Sequence, residues 1–294
     1  MLKSFILRLF RYRFHVLPFI NLFIYLQIGA LKDYKGVVDG EKRKCPIIVS
    51  LTSYGERFSD LPITLYSLLN QSLKPDRVIL WLDSYYQDLS YLPYEVTQFI
   101  KNGLEIRFVK DIGPYTKSMY SFKEFKDSII VTADDDIYYP KNWLKNLYLS
   151  YISNPEDIHV HRSHKVFLTN DFKISPYENW QKHVKEEKAS YDNFLTGVGG
   201  VLYPPMCFSN EVTREDIFLK CAPIADDIWL WVMALVHNRK IRVVKSHIKT
   251  LIVTNLFRQL FKRTLYRKNR KGENDKQLKC LLKYYGQNVL NKLR

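Results

Sequence analysis

Three aspartates stand side by side at Asp134, Asp135 and Asp136 in the run IIVTADDDIYYP, and two more, Asp226 and Asp227, in ADDIWLW. Adjacent carboxylates repel one another, and a divalent cation offsets that repulsion most directly. Mg²⁺ and Mn²⁺ prefer oxygen ligands and are commonly held by one or two carboxylates together with substrate phosphates. The triplet therefore reads as a metal site. The competing reading is a helix cap before Pro140, which would open a helix at its favoured first-turn position. A cap needs one acid or two, and the triplet lies upstream of that turn. The pair at 226–227 begins a mostly apolar helix running to His237. Capping accounts for one acid; a carboxylate beside Trp229 acts instead as a general base, because partial desolvation raises its pKa. Both readings stay open. A third feature, NFLTGVGGVLYPP at 193–205, carries Gly197, Gly199 and Gly200, which allow a sharp turn or close backbone approach to a ligand. It is not a G-x-G-x-x-G phosphate loop.

The elements that must position these groups alternate between two periodicities. Residues 46–53 (PIIVSLTS), 77–82 (RVILWL), 104–109 (LEIRFV) and 128–133 (SIIVTA) read as strands. Residues 61–71, 94–102 and 117–126 read as helices between them, the second ended by Gly103. Strands alternating with helices of this length predict a mostly parallel α/β sheet flanked by helices. Ligands of such sheets bind outside the carboxyl ends of the strands. That rule puts Ser53, Tyr54, Asp83, residues 111–117 and the triplet on one rim.

Length and composition bound the rest. The chain has 294 residues, 46% hydrophobic and 15% aromatic, which excludes a disordered or fibrous protein. No internal repeat is visible, so solenoids and propellers are excluded too. The net charge of +15 is uneven. Residues 239–294 hold 17 Lys or Arg against two acids, and residues 1–44 hold nine against three. Residues 45–238 hold 19 against 25 acids. Basic ends suit phosphates or an anionic membrane surface, and an acidic centre suits a cation. Residues 1–13 place apolar side chains at helical spacing among Lys3, Arg8, Arg11 and Arg13. Residues 16–31 are apolar but short and broken by Pro18, so the segment reads as an amphipathic surface anchor rather than a span. The basic tail lacks an aromatic-plus-basic stacking pattern, so nucleic acid is not an expected partner. Cys45, Cys207, Cys221 and Cys280 show no C-x-x-C spacing and read as reduced, packed thiols. The division expected is a membrane-associating segment (1–44), a catalytic domain (45–247) and a basic helical extension (248–294).

Taken in order, IIVSLTSYGERF, DRVILWLD, DIGPYTKSM, IIVTADDDIYYP, TGVGGVLYPP and ADDIWLW resemble a family 2-type glycosyltransferase of the GT-A fold, as found in bacterial polysaccharide and lipopolysaccharide synthesis. The resemblance runs from about Cys45 to His247. It implies an inverting transfer of one sugar from a nucleoside diphosphate sugar, UDP by family habit, to a glycan or lipid-linked acceptor. It implies Mn²⁺ or Mg²⁺ on Asp134 and Asp136, with Asp135 in competition for that role. It assigns Ser53, Tyr54 and Arg57 to the nucleoside, Asp83 to the base, and Lys117 to the nucleotide or diphosphate. Gly199 and Gly200 fall beside donor sugar and acceptor. Asp227 falls at the catalytic base, with Asp226 assisting. The setting implied is peripheral, on the cytoplasmic face of a bacterial inner membrane. A metal-dependent nucleotidyltransferase or phosphohydrolase, or a membrane-bound scaffold without catalysis, are the alternatives.

Overall fold

The computed structural model describes residues 34–40, 43–248, 251–255 and 272–293. The amphipathic segment at 1–31 and nearly all of the basic run at 258–272 lie outside the described residues. Four apolar runs form the expected parallel strands: β1 (Ile47–Thr52), β2 (Arg77–Asp83), β3 (Leu104–Val109) and β4 (Ile129–Thr132). Val49 of β1 lies opposite Val78 and Val131 of its two neighbours. Strands β1, β2 and β4 are apolar at most positions because both sheet faces are covered, whereas β3, at the sheet edge, carries Glu105 and Arg107 and is mostly half-buried. Ile47, Val49 and Leu51 enter one core, with Val78, Leu80 and Leu82. Ile48 enters the other, with Ile79, Trp81 and Ile130.

Later strands complete the layer. A two-stranded ribbon forms from β5 (Ile137–Tyr138) and β12 (Ile252–Val253). A three-stranded sheet forms from β7 (Ser163–Lys165), β8 (Gln181–Lys182) and β9 (Asn193–Leu195). The main sheet adds β6 (Ile158–Val160), β10 (Val201–Tyr203) and β11 (Ile241–Val243), in the order β11-β6-β10-β4-β1-β2-β3. Only β10 runs against its neighbours. Helices α1 (Leu61–Leu69) and α3 (Trp143–Ser153) cover the first core. Helices α2 (Thr116–Glu124), α4 (Glu215–Cys221), α5 (Asp226–Val236) and α6 (Asn274–Tyr285) cover the second. Leu278, Leu281 and Leu282 of α6 share the core of the sheet, so this part of the basic extension packs on the main α/β layer. The mostly parallel, helix-flanked α/β fold is the one expected from the sequence.

Three local expectations change. Pro140 does not open a helix: its carbonyl accepts the Trp143 N–H at 2.8 Å, and the helix starts at Trp143. The expected helix at 94–102 is one α-turn (Tyr94–Thr97) continued as 3₁₀ (Gln98–Asn102), stopped by Gly103 at φ +103°. Cys221 and Cys280 are not packed thiols but a disulfide, with Cα atoms 5.2 Å apart. They lie 59 residues apart in sequence and meet because α6 folds back onto α4. Among the described residues, no helix is long and apolar enough to cross a membrane.

The glycine segment meets α3 at one tight point. Gly200 has φ +86°, and a Cβ there would come within 2.5 Å of the buried Trp143 indole. The same indole donates Nε1–H to the Gly199 carbonyl at 2.8 Å. Gly200→Ala combines a disfavoured backbone with overpacking, and is expected to cost about 2–5 kcal/mol in denaturant unfolding.

Candidate active site

The carboxyl ends of β1, β2, β4 and β6 open on one rim, together with the start of the antiparallel β10. The expected residues fall along it: Asp83 at the end of β2, Ser53–Arg57 after β1, the triplet after β4, and Gly197–Gly200 before β10. Helix α5 brings Asp226 and Asp227 to the glycine segment.

The triplet is gripped by its backbone. Tyr139 Oη accepts the Asp134 N–H at 2.8 Å. Thr64 Oγ1 donates to the Asp135 carbonyl at 2.9 Å, and the Thr254 N–H, next to β12, donates to the Asp136 carbonyl at 2.9 Å. Each side chain then meets a different environment. Asp134 Oδ1 lies 2.7 Å from Lys117 Nζ. Asp135 is buried, accepts from Ser53 Oγ at 2.6 Å, and pairs with Arg57. Asp136 lies 3.4 Å from the same guanidinium. Burial pushes the Asp135 carboxyl above its ordinary value although Arg57 and Ser53 oppose it. Burial, then Asp135 and Asp134, pushes Asp136 up to about 7. Among the described residues, no three His, Cys, Asp or Glu side chains converge into a closed metal cage. An open donor set of one or two carboxylates is what this rim offers, the habit of a cation that takes other ligands from phosphate and water.

Lys117, in the first turn of α2, is buried, and its Nζ lies 3.1 Å from Asp226 Oδ2 as well as 2.7 Å from Asp134. Burial works against this ammonium, but Asp134, Asp226 and Asp227 outweigh it and hold its pKa well above the ordinary range. The family resemblance gives Lys117 a contact with nucleotide or diphosphate; here its ammonium spans the two acidic groups of the protein. Asp227 Oδ1 accepts the Gly197 N–H at 2.9 Å. Burial, then Asp226, raises Asp227 well above the ordinary carboxylate value; burial also raises Asp226. Desolvation of this kind makes a carboxylate a stronger proton acceptor.

The β1–β2 end of the rim is more open. Tyr54 is exposed, with the Arg57 guanidinium 5.4 Å from its ring centroid. Asp83 Oδ1 accepts the Tyr85 N–H at 3.0 Å and caps a short turn. Tyr139, Thr64 and Gly197 hold the site together and were not singled out as site residues from sequence. Of these only Gly197 left a trace, in the glycine cluster. A Cβ on it would come 3.0 Å from Asp227 Oδ1 and 3.1 Å from Lys117 Nζ. His161, just beyond β6, is buried, and burial pushes its pKa down to about 4.

Residues 48–208, more than half of the chain, match the family described as glycosyl transferase family 2. The chain belongs to that family. Among solved structures it is similar to S. aureus TarS 1–349 in complex with UDP. That match has 17% identity and a TM-score of 0.46, covering 70% of this chain and 59% of that one. The complex with UDP-GlcNAc is similar at 17% identity and a TM-score of 0.45, covering 70% of this chain and 57% of the other. The chain thus spans less than two thirds of the length of those structures. No curated protein matches it.

Two outcomes follow from the charges. Lys117→Met leaves Asp134 and Asp226 without their shared cation and is expected to cost about 3–5 kcal/mol in urea unfolding. The exposed Lys123→Met is expected to change stability by less than about 0.5 kcal/mol. Asp136 holds its proton more tightly folded than unfolded. It therefore weakens the metal-free fold fully above about pH 7, and the penalty vanishes below the ordinary 3.8. Asp136→Asn is expected to raise metal-free unfolding free energy at pH 8 by about 1–3 kcal/mol, with the gain shrinking as pH falls toward 4.

Proposed function

We propose that this glycosyltransferase moves one sugar from a nucleoside diphosphate donor to an acceptor hydroxyl, with inversion at the anomeric carbon. The observation that carries the reading is the shared ion pairing of Lys117 with Asp134 and Asp226. It joins the acids suited to a donor diphosphate to the acids suited to proton removal. In this reading the nucleoside lies over β1 and β2, beside Tyr54 and Asp83, and the diphosphate lies against the triplet. The donor is a UDP-sugar, supported by family habit.

Asp135 is committed to Ser53 and Arg57, which leaves Asp136, with Asp134 beside it, as the carboxylates for a cation. Mn²⁺ or Mg²⁺ held there supplies charge neutralisation for the departing diphosphate. Asp227 is the base: its raised pKa suits it to accept the proton, and Gly197 N–H orients it. The acceptor oxygen attacks the anomeric carbon from the face opposite the diphosphate. The new C–O bond forms as the C–O bond to diphosphate breaks, and the hydroxyl proton passes to Asp227. One displacement needs one base, unlike the paired carboxylates of a retaining glycosidase. Asp226, buried against Lys117, assists by holding that cation in place. The acceptor class proposed is a glycan or lipid-linked glycan of cell-surface polysaccharide or lipopolysaccharide synthesis. The two basic chain ends support a peripheral position on an anionic membrane, at the cytoplasmic face.

Calorimetric titration of UDP, GDP and dTDP, each with and without Mn²⁺, tests the donor site. One nucleotide is expected to bind with metal, and Asp136→Ala is expected to lose that metal dependence. With the matching sugar nucleotide, Asp227→Asn is expected to lower turnover by about 10²–10⁴-fold while nucleotide affinity stays within about threefold. Absence of binding by every nucleotide at millimolar concentration would sink the proposal.

A further inference from the structure

The sheet order turns the rim into a ruler. Neighbouring strands lie about 4.8 Å apart, so β2 and β6 lie about 10 Å to either side of β4 in opposite directions. If the nucleoside occupies the β2 side and the diphosphate sits at β4, the far side at β6 belongs to the acceptor. The residue that follows β6 and the buried His161 is Arg162.

Arg162 is built into the glycine segment by its backbone. Its carbonyl accepts the Thr196 Oγ1–H at 3.1 Å and the Thr196 N–H at 3.3 Å. A Cβ on Gly199 would come within 2.9 Å of Arg162 Cβ. Thr196 is next to Gly197, whose N–H holds Asp227. The Arg162 side chain reaches the residue that follows β8 of the three-stranded sheet. Its Nε donates to His183 Nδ1 at 3.0 Å, and an Nη lies 3.3 Å from His183 Nε2. His183 is exposed and holds φ +60°, a conformation that side chains rarely adopt without support. Lys182 adds a second cation, 3.6 Å above the Tyr177 ring. Burial above all, with Lys182 and Arg162 adding to it, pushes the neighbouring His164 down to about 3. This positive shelf stands two strands from a strongly negative triplet.

We propose that Arg162, oriented by His183, recognises an anionic group, a phosphate or a carboxylate, on the acceptor, beside the hydroxyl that Asp227 deprotonates. The inference rests on the transferase reading above. A guanidinium presents a planar fork of N–H donors that matches either anion, and a charge-assisted pair of this kind strongly favours a charged ligand over its neutral analogue. Because the backbone of Arg162, not its side chain, supports the glycine segment, side-chain substitutions leave that support in place.

The test loads the full chain with UDP and Mn²⁺ and titrates glucose, glucose 6-phosphate and glucuronate. At least one charged sugar is expected to bind about tenfold more tightly than glucose. Whether glucose 6-phosphate or glucuronate carries the gain separates phosphate from carboxylate. Arg162→Gln is expected to lose the preference, and Arg162→Lys to keep part of it. Equal affinity for charged and neutral sugars, no binding of any of them, or a preference that survives in Arg162→Gln would overturn the proposal. So would an Arg162-dependent preference for UDP-glucuronate over UDP-glucose, which would put the anion on the donor. Failure of UDP itself to bind would instead overturn the transferase reading beneath it.

Discussion

One buried ammonium organises the catalytic rim. Lys117 carries its charge where burial disfavours it, and it remains charged because Asp134 and Asp226 lie on either side. The dependence is mutual. Removing Lys117 leaves two acids in a low-dielectric position without their shared cation, and removing either acid leaves the buried ammonium one partner where it had two. The rim has therefore been fixed by necessity: β4 and α5 cannot shift independently while both contribute an acid to the same cation. That constraint explains why two acidic motifs about 90 residues apart in the chain act as one unit.

The rest of the fold supplies the rigidity that such a cluster needs. Strand β4 is buried on both faces, so its end is held by two cores at once. Backbone bonds from Tyr139, Thr64 and Thr254 then fix each residue of the triplet separately. Tyr139 is itself held by Trp143, whose ring centroid is 4.4 Å away, and Trp143 closes the circuit by bonding Gly199. Polar groups that would otherwise be stranded in the sheet are absorbed the same way. Ser50, in the middle of β1, meets the Lys117 carbonyl, Ser121 and the Trp81 indole, which ties α2 to the sheet just below the ammonium.

What the sequence disclosed follows from how far each interaction reaches along the chain. Strands β1 to β4 were legible because an apolar run of four to seven residues has few other homes. The acidic motifs were legible because like charges side by side are costly without a reason. Lys117 could be singled out by its motif, but not its partners, since the contact with Asp226 depends on how α5 crosses the rim. Tyr139 and Thr64 looked like ordinary packing residues for the same reason. Pro140 misled because a proline suits a turn as well as a first helical turn, and the choice is made by the packing of Trp143. The Cys221–Cys280 pairing needed the return of α6, which no local spacing announces.

The charge inventory of the rim carries the argument one step further. Asp134, Asp135, Asp136, Asp226 and Asp227 are five carboxylates, and among the described residues Arg57 and Lys117 are the cations paired with them. Burial first, and then the crowding of like charges, raises the carboxyl pKa values at Asp135, Asp136, Asp226 and Asp227. The proposed donor, a nucleoside diphosphate, adds further negative charge at the same place. Protons on Asp136 are a poor answer to that, because they vanish as pH rises through 7, whereas a divalent cation answers the carboxylate and the diphosphate together. Asp227 is the opposite case. Its proton affinity is useful, because a base must first be able to accept a proton. In the proposed reaction the same excess of negative charge serves two purposes, separated by Lys117: on the β4 side it invites a cation, and on the α5 side it makes a base.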